Sequence, residues 1–184
     1  MTTLFVSLEA DINKEPVFLI LPKRAYSTRT LIIDGSKLVS KEVRASLTQD
    51  EIFDIQQATK CLAFEVPTAA AFHLFRAMEG TIKRYYTLVI GRASPPKPAR
   101  DWNSYITLMK KWGKPDPQTI FILDQVRHLF RNPITHPDEH VTMDKAAALL
   151  GLADTVLTPL TTEIKKLSAC SAAPVAAQPS SASP

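Results

Sequence analysis

The sequence predicts an all-α fold, a bundle of about five helices, with a small β-containing extension before it and a disordered tail after it. Three observations lead to this prediction. Apolar residues recur at helical spacing through residues 48–167, with capping residues and prolines where the segments begin and end. Residues 1–47 instead carry short β-branched and apolar runs. Residues 168–184 consist mostly of Ser, Ala and Pro and contain no charged residue.

Length and composition are those of an ordinary globular chain, with 184 residues, 45% hydrophobic residues and a net charge of +4. No apolar run approaches the ~20 residues that span a bilayer. The first ten residues lack the basic region and apolar run of a signal peptide. Two cysteines are too few for a disulfide framework. We therefore expect a cytoplasmic protein that does not enter a membrane.

The N-terminal extension is predicted to form a small β-hairpin or meander. Its candidate strands are residues 17–21, 30–33 and 37–39. Asp34-Gly35 is a suitable turn dipeptide between the second and third. Such a unit is too small to fold alone, so we expect it to pack on the helices or on a partner chain.

The first two helices have clear start signals. Thr48-Gln-Asp-Glu51 matches a capping box, in which the Thr hydroxyl and the Glu carboxylate each accept a hydrogen bond from a backbone N–H. Pro67 fits the first turn of the second helix, where its missing N–H costs nothing, and that helix is predicted to end near Gly91.

The third and fourth helices are bounded by Asp101 and by prolines. Asp101 is a suitable N-cap for the third helix, and the fourth begins at about Pro117. Because Pro133 disfavours helical geometry in the residue before it, we expect the fourth helix to end at about Arg131.

The fifth helix is predicted to begin near Thr142 and to continue to Leu167. Pro159 lies within its apolar pattern, so we expect a kink or an early end just before this proline.

Arg131, Asn132 and His136, in the stretch Arg-Asn-Pro-Ile-Thr-His, are the candidate catalytic residues. On a continuous helix Arg131 and His136 would point about 140° apart, whereas a helix broken at Pro133 lets them converge. Arg offers permanently charged donors to a phosphate. His takes or gives a proton near neutral pH, and Asn132 can contact the phosphate or orient His136. This set suits cleavage of RNA through its 2′-OH without a metal or any other cofactor.

This stretch resembles the motif of HEPN domains (higher eukaryotes and prokaryotes nucleotide-binding). In that motif an Arg is followed by a polar residue, and four positions separate the Arg from a His. The motif lies between the last two long helices of a small bundle. The resemblance covers roughly residues 48–167, with most of its specificity in residues 123–153 and further likeness in residues 69–79. It implies a homodimer whose two Arg/His pairs share a cleft, and a metal-independent endoribonuclease, often a toxin or phage-defence effector. An antitoxin or nucleotidyltransferase-type partner is also implied. The alternative is a non-catalytic module that binds nucleotide or RNA, or only dimerises.

One position departs from some toxins of this family. These toxins carry a Tyr two residues after the motif His, which a nucleotidyltransferase antitoxin modifies. Asp138 occupies that position in this sequence, which argues against this form of regulation.

Four further residues are candidates for RNA or phosphate binding: His73 and Arg76 on the second helix, and Arg127 and His128 on the fourth. Nine Lys and Arg residues against two acidic residues lie between positions 76 and 114, an imbalance that attracts a polyanion. Exposed helix residues and a solvated basic face explain the same pattern equally well. The aromatic residues of this region are expected in the core or in a dimer interface rather than as a base-stacking platform; they are Trp102, Trp112, Tyr85 and Tyr86.

A competing motif overlaps the central stretch. His136-Pro-Asp-Glu-His140 matches the inverted zinc-protease pattern His-x-x-Glu-His. That pattern requires a regular helix, so that both histidines share a face, whereas Pro137 and the cap near Thr142 favour a loop. We therefore expect no metal site at these residues.

Overall fold

The structure, a computed structural model, describes residues 20–23, 26–91, 101–135 and 140–172. All regular structure in these ranges is helical, which confirms the all-α prediction for this part of the chain. The elements are α1 (Thr28–Ile33), a 3₁₀ helix (Gly35–Leu38), α2 (Lys41–Arg44), α3 (Gln49–Ala63), α4 (Pro67–Ile90), α5 (Trp102–Trp112), α6 (Pro117–Val126), a π-helical turn (Arg127–Arg131), α7 (Asn132–Thr135) and α8 (Met143–Ala172).

Helices α3 and α4 form a tight helical hairpin. The predicted capping box starts α3: the Thr48 hydroxyl accepts from the Glu51 N–H at 3.3 Å, and the Glu51 carboxylate accepts from the Thr48 N–H at 2.8 Å. The chain reverses direction at Glu65, which has a φ of 59°. Pro67 then occupies the first turn of α4, as predicted. Because the connection is so short, α3 and α4 lie side by side and antiparallel.

Helix α4 is the centre of the bundle. It packs against α3, α5 and α8. Each large apolar side chain that it buries contributes about 2 kcal/mol relative to exposure. Its fully buried large residues are Leu74, Met78, Ile82 and Tyr85, and α8 adds Leu149, Leu150, Val156, Leu157 and Leu160.

The predicted strands at residues 30–33 and 37–39 are wrong. The first lies in α1, which Ser27 caps by accepting the Thr30 N–H at 3.4 Å, and most of the second lies in the 3₁₀ helix. Leu31 is buried while Ile33 is exposed, so these β-branched and apolar residues do not line one face of a strand. The short elements pack on α3, and this tertiary packing outweighs β propensity. Most of the candidate strand at residues 17–21 lies outside the described residues, which begin at position 20.

The 3₁₀ helix approaches α3 so closely that only glycine fits at position 35. A Cβ on Gly35 would lie 1.7 Å from the Thr59 Oγ1, and Thr59 is fully buried. This glycine is therefore required by packing rather than by a turn.

The predicted end of the fourth helix at Arg131 is also wrong. Helical backbone continues from α6 through the π-helical turn into α7. Asn132 keeps right-handed helical geometry although Pro133 follows it, and its N–H bonds to the Arg127 carbonyl, five residues back. A π-helical turn of this kind accommodates Pro133, which has no backbone N–H to donate in the regular helical pattern. The helix therefore passes the proline that was expected to stop it.

Helix α8 confirms the fifth predicted helix and extends beyond it. Thr142 caps it by accepting the Lys145 N–H at 3.2 Å. A kink or an early end was predicted just before Pro159, and the early end is wrong, because the helix continues to Ala172. A proline inside a helix costs about 3 kcal/mol. Burial of Leu160 and its neighbours beyond the proline offsets this cost.

The disordered tail was predicted to begin at residue 168. Residues 168–172 instead belong to α8, and residues 173–184 lie outside the described residues. Neither α8 nor any other helix of the described ranges is apolar enough over sufficient length to cross a membrane.

Candidate functional site

Arg131 is partly buried at the end of the π-helical turn, within electrostatic reach of two carboxyl groups. Glu79 belongs to α4, and Asp101 is the N-cap of α5. Burial raises the pKa of the Glu79 carboxyl above its usual value, while the positive charge of Arg131 opposes this and the negative charge of Asp101 adds to it. Hydrogen bonds from Ser104 are the main cause of a lowered pKa at Asp101, with a smaller contribution from Arg131. The site around Arg131 therefore carries both signs of charge.

Two of the three predicted catalytic residues lie in the described ranges. Asn132 follows Arg131 directly and is the first residue of α7. His136 belongs to residues 136–139, which lie outside the described residues. Because helical backbone continues to Thr135, the turn expected between Arg131 and His136 does not begin at Arg131.

Arg127 and His128, the secondary candidates on the fourth predicted helix, form a cluster with Asp124. The Asp124 Oδ1 accepts from the Arg127 Nε at 3.2 Å and Nη2 at 2.8 Å, and lies 3.7 Å from the His128 Nε2. The Asp124 Oδ2 accepts from the Lys110 Nζ at 3.2 Å. The Arg127 hydrogen bond is the main cause of a lowered pKa at Asp124. Arg127 is therefore engaged by a carboxylate, whereas His128 is exposed.

His73 and Arg76, the other secondary candidates, meet Asp54 of α3. The Asp54 Oδ1 lies 2.8 Å from the His73 Nδ1, and the Asp54 Oδ2 lies 3.5 Å from the Arg76 Nε. The Asp54 side chain is only 8% exposed. A buried carboxylate on Nδ1 orients the imidazole of His73.

A cleft of about 520 Å³ lies beside this cluster, with Asp54, Arg76, Glu79 and Lys83 among its lining residues. The positive charge of Arg131 also acts on the Glu79 carboxyl. The cleft with Asp54 and the site around Arg131 are therefore neighbours that share Glu79.

Sequence reasoning missed Asp54 and Glu79 as parts of these sites. Both are acidic residues on amphipathic helices, where a solvated position is the usual expectation. Their partners are 19 residues away for Asp54 and His73, and 52 residues away for Glu79 and Arg131. No local spacing rule connects residues so far apart.

No group of three or more His, Cys, Asp or Glu residues within the described ranges is placed to bind a metal ion. Two of the three residues that define the zinc-type pattern, His136 and Glu139, lie outside those ranges, and the third, His140, is exposed just before α8.

Comparison of the chain with protein-family models, with curated proteins and with solved structures found no match.

Proposed function

We propose that the protein is a metal-independent endoribonuclease of the HEPN type, active as a homodimer. Arg131 stabilises the charge that builds on the phosphate in the transition state, His136 acts as general acid or base, and Asn132 orients the groups. The π-helical turn that ends at Arg131 carries this proposal. Such turns are rare, and they occur frequently at functional sites because they interrupt regular helical hydrogen bonding.

The surroundings of Arg131 support a role in anion binding. Glu79 and Asp101 lie within electrostatic reach of the guanidinium, so its surroundings carry charge of both signs before substrate arrives. A phosphate that approaches Arg131 also meets these two carboxyl groups. Because burial already raises the pKa of Glu79, this carboxyl is the easier of the two to protonate, which relieves repulsion of the phosphate.

The chemistry explains why two copies of the chain are proposed. A base removes the proton of the ribose 2′-OH, and the 2′-oxygen attacks phosphorus. The bond from phosphorus to the 5′-oxygen breaks, and an acid protonates the departing 5′-oxygen. The products carry a 2′,3′-cyclic phosphate and a 5′-OH. Base and acid act on opposite sides of phosphorus, so two histidines related by a twofold axis divide the work.

The family resemblance adds a biological context to the proposal. The enzyme acts as a toxin or phage-defence effector, and an antitoxin or another regulatory partner restrains it. A non-catalytic module that binds nucleotide or RNA is the second candidate, since some members of the family have this role.

Incubation of the purified protein with RNA in EDTA tests the proposal. We expect cleavage with 2′,3′-cyclic phosphate ends, and a loss of rate of about 100-fold or more in His136→Ala and in Arg131→Ala. His140→Ala is the matched control, because this histidine is exposed only four residues further on. Arg131→Lys keeps the charge but not the bidentate donors, and we expect it to lose most of the activity.

Other outcomes assign the protein differently. A dimer that shows no cleavage favours the non-catalytic module. Activity that is abolished by EDTA, and restored by zinc, favours a zinc hydrolase. Cleavage that survives His136→Ala removes this histidine from the mechanism.

A further inference from the structure

The two tryptophans lie in opposite environments. Trp102 is fully buried, whereas Trp112, the last residue of α5, is 69% exposed. Gly113 packs on Val89 and Ile90, the last residues of α4, so the surface on which α5 packs ends at this point. Single exposed apolar side chains are common on protein surfaces, so the exposure of Trp112 gains meaning only from the groups around it.

A lysine ammonium lies over the exposed indole. The Lys111 Nζ lies 4.8 Å from the centre of the Trp112 ring. Lys111 and Lys114 are both exposed, and no carboxylate of the described residues pairs with either. The two acidic residues that follow in the sequence are engaged elsewhere: Asp116 caps α6, and Asp124 binds Lys110 and Arg127. The indole therefore lies under the Lys111 ammonium, and Lys114, two residues further on, is a second exposed lysine without a carboxylate partner among the described residues.

An apolar groove of about 400 Å³ lies next to this patch, between α5 and α6. Pro115, Pro117, Ile120 and Phe121 line it, and Phe121 is exposed. Lys110 and Asp124 at its edge bond to each other at 3.2 Å, and each keeps further capacity, the ammonium as a donor and the carboxylate as an acceptor. Apolar walls with one donor and one acceptor suit an unstacked nucleobase, which presents a π face and polar edges.

We propose that Trp112, Lys111, Lys114 and the Phe121 groove form a binding surface for single-stranded RNA. One base stacks on Trp112, the two lysines contact phosphates, and a neighbouring base enters the groove. Duplex RNA keeps its bases stacked and paired, so it cannot use the indole or the groove. The mixture of aromatic rings with cations in excess is the chemistry of a single-strand site, whereas a protein partner would not require unpaired lysines around the ring.

The proposed surface extends the substrate site of the ribonuclease, and this part of the inference rests on the proposed function. Asp101, which feels the charge of Arg131, precedes the first residue of α5, and Trp112 is its last residue. An eleven-residue helix is about 16 Å long. A stacked strand rises about 3.4 Å per nucleotide, so the length of α5 corresponds to about five nucleotides.

Fluorescence of the full chain tests the surface separately from cleavage. In a His136→Ala background, a 12-nucleotide single-stranded RNA is expected to quench the emission of Trp112, and a duplex of equal length to quench it weakly. Trp112→Phe removes this signal and leaves the buried Trp102 as an internal reference. Trp112→Ala is expected to weaken binding about tenfold or more, with a smaller loss in Trp112→Phe, which still stacks.

The lysines have their own readout and a matched control. Lys111→Gln together with Lys114→Gln is expected to reduce the slope of log affinity against log salt by about 1.4. Lys41→Gln, at an exposed lysine on α2, is expected to leave affinity unchanged. Thermal unfolding of each variant checks that the fold is intact.

The possible outcomes separate the two proposals. Unchanged Trp112 emission at saturating RNA, or equal affinity in Trp112→Ala, overturns the RNA surface. Loss of dimer in Trp112→Ala without loss of RNA affinity overturns it in favour of an interface between copies. Quenching without cleavage by the wild-type chain supports the RNA surface and rejects the ribonuclease. Cleavage without quenching supports the ribonuclease and rejects the RNA surface.

Discussion

Replacement of Arg84 by methionine is expected to destabilise the fold strongly, because it leaves a buried carboxylate without its counter-charge. Glu51 is 4% exposed. Its two oxygens accept from the Arg84 Nε at 2.9 Å and Nη2 at 2.8 Å, and one of them also accepts from the Thr48 N–H. Arg84 joins α4 to the start of α3, since its Nη2 also donates to the Ser46 carbonyl at 3.0 Å.

The magnitude follows from burial. Loss of one partner of a buried ion pair costs about 3–5 kcal/mol. Arg84 is 30% exposed, so water partly replaces the lost donors in the variant and the lower value, about 3 kcal/mol, is expected. The double variant Glu51→Gln/Arg84→Met removes both charges, while the introduced side-chain amide still accepts from the Thr48 N–H. It is expected to recover to within about 1 kcal/mol of wild type.

Urea unfolding followed by far-UV circular dichroism measures the free energy of unfolding for the wild type, both single variants and the double variant. Lys83→Met is the matched control, because Lys83 is exposed beside Arg84, and we expect a change within about 0.5 kcal/mol. A loss below about 1 kcal/mol in Arg84→Met, or a double variant no more stable than that single variant, refutes the reasoning.

Three further predictions concern packing and charge. Gly35→Ala forces a Cβ against Thr59 and is expected to cost about 1–3 kcal/mol in urea unfolding, part of which Thr59→Ala recovers. Burial raises the pKa of Glu79 in the folded state, so the contribution of this carboxyl to stability is full below the unfolded pKa and is lost as pH rises through the folded pKa. Glu79→Gln should therefore raise Tm relative to wild type more at pH 7 than at pH 4. Asp54→Asn removes the charged acceptor of His73 and is expected to lower the free energy of unfolding by about 1–2 kcal/mol, whereas no loss would mean that this contact does not hold α3 to α4.

Local signals in the sequence were sufficient for the starts of the long helices. The Thr48 capping box, Pro67, Asp101 and Thr142 all act within a few residues of themselves, through side chains that bond nearby backbone or through a fixed backbone angle. Both partners of each interaction therefore lie within a few residues of each other in the sequence. The Arg131 motif was found in the same way, as a local pattern.

Where prediction failed, packing between distant segments decided the outcome. Residues 30–33 have strand propensity, yet their contact with α3 makes them helical. Pro133 was expected to end a helix, yet the bond from the Asn132 N–H to the Arg127 carbonyl forms a π-helical turn that continues it. Both results depend on competition between the local conformational preference and contacts with the rest of the fold. A short segment of sequence does not contain those contacts.

The sequence by itself determined the all-α class, the helix starts and the motif containing Arg131 and Asn132. Only the tertiary structure decided which charges meet, because the partners of Arg131 and His73 lie on other helices. It also separated two tryptophans on one apolar pattern, since Trp102 is buried by its neighbours whereas Trp112 is 69% exposed. The periodicity of the sequence indicates which face of a helix is apolar. Burial of that face requires a neighbouring helix, which only the packed chain supplies.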